Sequence, residues 1–259
     1  MPDLQALIFD VDGTLADTER DGHRVAFNRA FAEAGLDWHW SVDLYGSLLS
    51  VTGGKERILY YLNSFNTAFQ RPDDLSGFVA DLHRSKTRHY MALMAEGAIP
   101  LRPGVQRLLE EARSAGMRLA IATTTTPENV SALIESALPK GAIGWFDVVG
   151  AGDIVPQKKP APDIYDWVLQ ALQLQPGQVI AFEDSAHGVA SATDAGISCV
   201  VVTVNDYTVG QDFSAASVVL DALGEPSAPA RPIAGVAPPN GIVDLAYLHN
   251  LASRTGAVA

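Results

Sequence analysis

The chain has 259 residues, 47% of them hydrophobic and 19% charged, a globular composition long enough for a large core or two unequal domains. Its formal net charge is −12 with no block of Lys or Arg, which argues against nucleic acid or an anionic membrane as a partner. The same field repels phosphorylated small molecules at long range, so any phosphate chemistry here needs a metal ion and local cations.

The first apolar run, Leu4–Phe9, meets Asp10 at once and is too short for a signal sequence or a membrane span. No later run is long enough to cross a bilayer, and the expected location is the cytoplasm. Further apolar runs rich in Val and Ile occur at Arg118–Thr123, Phe146–Val149, Val179–Phe182, Cys199–Val204 and Ser217–Leu220. Short continuous runs of this kind predict strands covered on both faces. Helical stripes separate them. Pro103 starts one that carries Val105, Leu108, Leu109 and Ala112. Thr126-Pro127 opens a second, and Ile164, Trp167, Val168, Ala171 and Leu172 mark a third. The alternation predicts an α/β fold, a Rossmann-like doubly wound parallel sheet.

Residues between the first two strands break this rhythm. Phe27, Ala30, Phe31 and Ala34 form one helical stripe, Ile58, Leu59 and Leu62 a second, and a longer helix is expected over about 73–96. The expected organisation is a core of residues 1–16 and 93–225 with an inserted all-helical cap at 17–92. Residues 226–259, rich in Pro, Ala and Gly, suit an extended strap ending in a short helix near Asp244. The single cysteine, Cys199, lies in an apolar run and reads as a buried structural thiol.

Four polar signals fall at the ends of predicted strands. Asp10 and Asp12 follow the first strand, and Gly13 lets the chain turn away. Carboxylates two apart share a face of extended chain, and a divalent cation is a natural way to hold both. Thr123 ends the second strand just ahead of a helix N-terminus, a ready anion site. Lys159 stands before the helix opening at Pro160, where it opposes the helix dipole unless an anion lies between them. Glu183-Asp184 follows a further strand and supplies a second acidic wall.

This ordered set, which spans nearly the whole chain, resembles the haloacid dehalogenase superfamily of phosphohydrolases. The resemblance implies that Asp10 is a nucleophile forming an aspartyl phosphate, and that Asp12 is a general acid and then base. It implies Mg²⁺ held by Asp10, the Asp12 carbonyl, Asp184 and Glu183, the last either direct or through water. Thr123, Thr124 and Lys159 would hold the transferring phosphoryl oxygens. Dehalogenases and phosphonatases of the superfamily lack a carboxylate where this chain has Asp12, which sets it apart from both.

The cap segments around Glu19 and Gly53-Gly54-Lys55-Glu56-Arg57 are similar to those of CbbY-type sugar bisphosphatases. That similarity implies removal of the 1-phosphate of xylulose 1,5-bisphosphate, a step linked to carbon fixation in the Calvin cycle, by a monomeric enzyme. Gly53 and Gly54 allow close backbone approach, and Lys55 and Arg57 are suited to grip a second anionic group. Glu19, His23 and Tyr45 are equally explained as holding the cap helices together, although Glu19 and Tyr45 are also candidate substrate contacts. Two other functions fit the same residues, a β-phosphoglucomutase-like sugar-phosphate mutase and a catalytically silent sugar-phosphate sensor.

Overall fold

The computed structural model describes residues 4–97 and 99–255; residues 1–3, Ala98 and 256–259, which belong to the expected core and tail segments, lie outside it. Strand β1 (Ala6–Phe9) is wholly buried. Each of its larger side chains contributes roughly 2 kcal/mol of transfer free energy. Four helices follow it, α1 (Arg24–Glu33), α2 (Val42–Leu48), α3 (Gly54–Ser64) and α4 (Leu75–Ala95). The chain then alternates through α5 (Val105–Ser114), β2 (Arg118–Ala122), α6 (Pro127–Ala137), β3 (Val148–Gly150), α7 (Asp163–Leu172), β4 (Val179–Glu183), α8 (Ala186–Asp194) and β5 (Val200–Thr203). It ends with β6 (Val218–Leu220), β7 (Pro232–Gly235) and α9 (Leu245–Thr255).

The strands form one sheet in the order β3-β2-β1-β4-β5-β6-β7, parallel throughout except for the β6–β7 pair. Alternate residues face opposite layers. Leu7, Phe9, Ile121 and Phe182 pack with α5, α6 and α9, whereas Ala6, Ile8, Ala120 and Ala181 pack with α7 and α8. This is the doubly wound α/β core that the strand–helix rhythm predicts. The chain leaves β1 toward β2 and later returns beside it as β4, so the topological switch lies at the carboxyl ends of β1 and β4. Asp10 begins there, its N–H donating to the Phe182 carbonyl at 3.0 Å. Ligands of open α/β sheets bind at that crevice.

Helices α1 to α4 gather around a second cluster built from Phe27, Phe31, Trp38, Trp40, Tyr45, Ile58, Tyr61 and Leu82. The carboxyl half of α4 also reaches into the core layer through Tyr90, Leu93 and Met94. Helix α2 has no counterpart in the sequence reading. It has only seven residues and interrupts its short pattern with Gly46, so periodicity gave it little signal; Ser41 caps it by accepting from the Leu44 N–H at 3.2 Å. Strand β7 was likewise expected only as extended strap. Its residues are all exposed and it begins with Pro232, composition that suits a sheet edge. Cys199 is buried as expected, and burial pushes its thiol pKa up. Among the described residues, no helix is long and apolar enough to cross a membrane.

One arginine ties the cap–core linker to the sheet edge. Leu101 bridges to Ala16, bringing both linker segments together, and the buried Arg102 follows. Its guanidinium donates to the carbonyl oxygens of Gly13, Thr203 (2.9 Å), Val204 (2.5 Å) and Asp221 (2.8 Å). Loops after β1, β5 and β6 are thereby fixed to one side chain.

Candidate active site

Asp10, Asp184 and Glu183 meet at the switch point. Each offers a carboxylate oxygen within 4.8 Å of the others, and all three residues are buried. Lys159 reaches them from the loop before α7. Its Nζ donates to Asp10 Oδ1 at 2.7 Å, to Glu183 Oε1 at 2.6 Å and to the Ala122 carbonyl at 2.9 Å. Tyr165 on α7 donates to the same Glu183 oxygen at 2.6 Å. Burial opposes the charge on Lys159, but Asp10 and Glu183 outweigh it and push the ammonium pKa up. Burial also raises Asp10 to about 8, helped by Glu183 and Asp12 and opposed by Lys159. Asp184 is driven well above the usual carboxylate range, first by burial and then by Asp10 and Glu183.

Gly13 makes room for this cluster. It sits at φ +88°, and a Cβ there would collide with the Asp184 carboxylate and the Asn205 amide. Asn205, just beyond β5, donates from Nδ2 to Asp184 Oδ2 at 2.7 Å.

The Asp12 side chain turns away from the other carboxylates toward the cap. Its Oδ1 accepts from Thr18 Oγ1 at 2.5 Å and from His23 Nε2 at 2.7 Å. The other ring nitrogen, Nδ1, lies 2.7 Å from Lys86 Nζ on α4. With the ammonium donating to Nδ1, the imidazole carries its proton on Nε2 and points it at Asp12. Tyr90 stacks on the ring at 4.3 Å between centroids and fixes its plane. Burial works against the charge on Asp12, yet the positive His23–Lys86 pair and the hydrogen bonds from His23 and Thr18 hold it down at about 2. Burial lowers Lys86 in turn to about 8.

Thr123 is buried at the end of β2, its hydroxyl accepting from the Thr125 N–H at 3.3 Å. Thr126 caps α6 by accepting from the Asn129 N–H at 3.4 Å. Two cavities open from this floor. One, of about 450 Å³, is lined by Asp10, Thr123, Lys159 and Asp184. The other, of about 140 Å³, is lined by Lys55, His83, Lys86 and Lys158. Asp12, Glu19, Arg57 and Thr124 border both.

The family model for haloacid dehalogenase-like hydrolases matches residues 4–196. The chain belongs to this family. Protein CbbY of Rhodobacter capsulatus is 52% identical over 214 residues, covering 83% of this chain and 91% of that protein. Protein CbbY of Cereibacter sphaeroides is 46% identical over 222 residues, covering 86% and 94%. Among solved structures, CbbY from Rhodobacter sphaeroides in complex with phosphate superposes with a TM-score of 0.78 at 46% identity, over 85% of this chain and 94% of that one. A mutant of that protein in complex with xylulose-(1,5)bisphosphate matches with the same TM-score, identity and coverage. A β-phosphoglucomutase from Clostridium difficile shares the fold, with a TM-score of 0.73 at 18% identity over 99% and 100% of the two chains. As a haloacid dehalogenase-like hydrolase with this site, the protein is a phosphatase.

For a family member, the acidic cluster fits a divalent cation. Three buried carboxylates face one ammonium, and burial raises the pKa of Asp10 and Asp184. Such an excess of negative charge in a dry site is what a dication neutralises. One oxygen of Glu183, Oε2, has no hydrogen-bond partner among the described residues. The Asp12 carboxylate is not in the cluster, which leaves its main-chain oxygen as the ligand that the family resemblance implies.

The cap residues divide. Glu19, Tyr45 and Arg57 form one group, with Tyr45 and Arg57 buried and Glu19 partly so. Tyr45 donates to Glu19, and Arg57 donates to the Tyr45 hydroxyl at 2.7 Å while lying 3.6 Å from Glu19. Arg57, read from the sequence as suited to grip a second anionic group, also has a packing role, because its guanidinium sits 5.1 Å over the Tyr45 ring. Lys55, by contrast, is half-exposed and pairs across the seam with Asp153. A Cβ on Gly54 would meet the tip of the His83 ring, which would have to shift to admit it.

Lys86, Asn205 and Tyr165 had no assigned role in the sequence reading, and His23 only that of holding the cap helices together. For Lys86 a signal existed. It occupies the stripe of Val79, Leu82, Tyr90 and Leu93 on α4, and lysine is almost never fully buried without a partner. His23 carried no such mark, since its partner Asp12 lies on another element.

Proposed function

We propose that the protein is a Mg²⁺-dependent sugar-phosphate phosphatase that converts xylulose 1,5-bisphosphate to xylulose 5-phosphate through an aspartyl phosphate on Asp10. The observation that carries this reading is the convergence of Asp10, Lys159, Glu183 and Asp184 at the switch point, beneath a cavity that continues to cap cations. The relative solved with xylulose-(1,5)bisphosphate, 46% identical to this chain, supports the choice of sugar.

Asp10 attacks phosphorus with its free carboxylate oxygen while Lys159 holds the other and faces the incoming phosphoryl oxygens. Thr123 and the Thr124 amide complete the cradle. Asp12, presented by Thr18 and His23, protonates the departing sugar oxygen and then takes a proton from the water that cleaves the acyl phosphate. A dianionic phosphate beside Asp12 raises its affinity for that proton, offsetting the pull of His23 and Thr18 toward a low pKa. Asp10, Asp184, Glu183 and the Asp12 carbonyl would hold Mg²⁺, which when bound would offset the negative charge of nucleophile and phosphate. The cap closes the site, with Lys55 placed to meet the distal phosphate. We further place the protein in the cytoplasm as a monomer.

Phosphate release measured across pentulose and hexose mono- and bisphosphates tests this function. Xylulose 1,5-bisphosphate is expected to give the highest kcat/KM. Interconversion of sugar phosphates with little free phosphate would make the protein a mutase instead.

A further inference from the structure

The cap and core are joined on one side by four charged side chains. Lys55 Nζ, on the first turn of α3, lies 2.7 Å from Asp153 Oδ2 on the loop after β3. Lys158 Nζ lies 3.1 Å from the other Asp153 oxygen and 3.2 Å from both oxygens of Glu56. Lys55, Lys158 and Asp153 line the smaller cavity together with Thr124, Thr125 and Asn129. The four charges sum to zero, so the closed seam is electrically complete with no ligand in it.

That completeness matters for any anion entering the cavity. A distal phosphate that meets Lys55 must contend with the Asp153 carboxylate for the same ammonium. If Asp153 stayed in place, two negative groups would crowd the two lysines. Asp153 has a ready way out, because its side chain is 61% exposed while that of Lys158 is only 18% exposed. An exposed carboxylate loses little when it swings into water.

We infer that Asp153 is an intramolecular competitor for the substrate's distal phosphate, holding the place between Lys55 and Lys158 until a second strongly anionic group displaces it. A dianionic phosphate carries more charge and offers three oxygens to the two ammoniums, and displaces a monoanionic carboxylate held by partly exposed ion pairs. A small phosphate ester with no distal charge leaves Asp153 where it is. The lysines hold Asp153 ionised, its pKa lowered to about 2 chiefly by the hydrogen bond from Lys55, so it competes as a full anion at any pH near neutrality. This inference rests on the proposed bisphosphate reading.

The test is Asp153→Asn, which keeps the shape and removes the charge, assayed on xylulose 1,5-bisphosphate and on p-nitrophenyl phosphate. The ratio of the two kcat/KM values is expected to rise roughly three- to fivefold through a lower KM for the bisphosphate, the size of one exposed ion pair. The rise should vanish when Asp153→Asn is combined with Lys55→Ala. A ratio that falls would make Asp153 an aid to Lys55; an unchanged ratio, or a rise that survives without Lys55, would also overturn the inference. If the wild-type protein leaves xylulose 1,5-bisphosphate intact, the substrate assignment fails by itself. The same ratio taken with the best-hydrolysed bisphosphate of the panel then still decides the role of Asp153.

Discussion

His23 points Nε2 at the Asp12 carboxylate from 2.7 Å, so an imidazole of the cap holds the side chain proposed to move the proton in the core. Any movement of the cap that carries His23 away would release the Asp12 carboxylate from this contact. His23→Ala is expected to lower kcat on a sugar phosphate on the order of 10- to 100-fold, the range for losing an orienting partner. Hydrolysis of p-nitrophenyl phosphate, whose leaving group needs no proton, should fall much less. Equal losses would show that His23 serves only the fold.

Lys86 sets an alkaline limit on that arrangement. Burial lowers its pKa to about 8, and loss of its proton turns a donor-only ammonium into an amine that can also accept, so the His23 proton is no longer held on Nε2. The kcat for a sugar phosphate should therefore decline above about pH 8. Lys86→Arg keeps the charge and should move the decline to higher pH, which a pH–rate profile of both proteins reads directly. For stability the sign is opposite. A lysine with a depressed folded pKa penalises the native state while charged, and that penalty fades as pH rises from about 8 toward the unfolded value.

Asp10→Asn should reduce turnover to background while leaving the fold intact, since burial already disfavours the charge at this position. Chelation of divalent ions should have the same effect on the wild type and be reversed by added Mg²⁺. Activity that survives either change contradicts the mechanism.

Lys55→Ala should raise KM for bisphosphates far more than for a small phosphate ester, because Lys55 lies on the cap side of the cavity and away from Asp10. A comparable loss on both substrates would assign Lys55 to closure of the cap alone.

Arg102→Ala strips the donor from carbonyl oxygens of four residues, Gly13, Thr203, Val204 and Asp221. Leaving even two of them unpaired in a buried site costs about 3 kcal/mol. Thermal unfolding should show a lowered Tm. The half-saturating Mg²⁺ concentration should rise as well, because Gly13 adjoins Asp12 and Val204 adjoins Asn205, the donor to Asp184.

The core was legible because its signals are local. Five of the apolar runs outside β1 became parallel strands within a residue or two of their expected bounds, since a strand buried on both faces must be continuously apolar. Asp10, Thr123, Lys159 and Asp184 could be read as a site because each falls at a strand-to-helix junction, and a parallel sheet brings all such junctions to one edge. The same logic failed for β7 and α2. An exposed edge strand and a seven-residue helix leave almost no periodic trace.

By itself, the sequence determined the α/β core and the acidic pair at Asp10 and Asp12, because strand burial and strand-end chemistry are written in consecutive residues. Only the tertiary structure decided the partners of those carboxylates. Thr18 and His23 meet Asp12, Lys86 backs His23 from 63 positions away, Asn205 meets Asp184, and Asp153 meets Lys55 from 98 positions away. No periodicity encodes such pairings, since each depends on where two packed layers place side chains that the chain keeps far apart. Asp10 could be recognised from its neighbours in sequence, but the direction in which Asp12 faces required the cap in place.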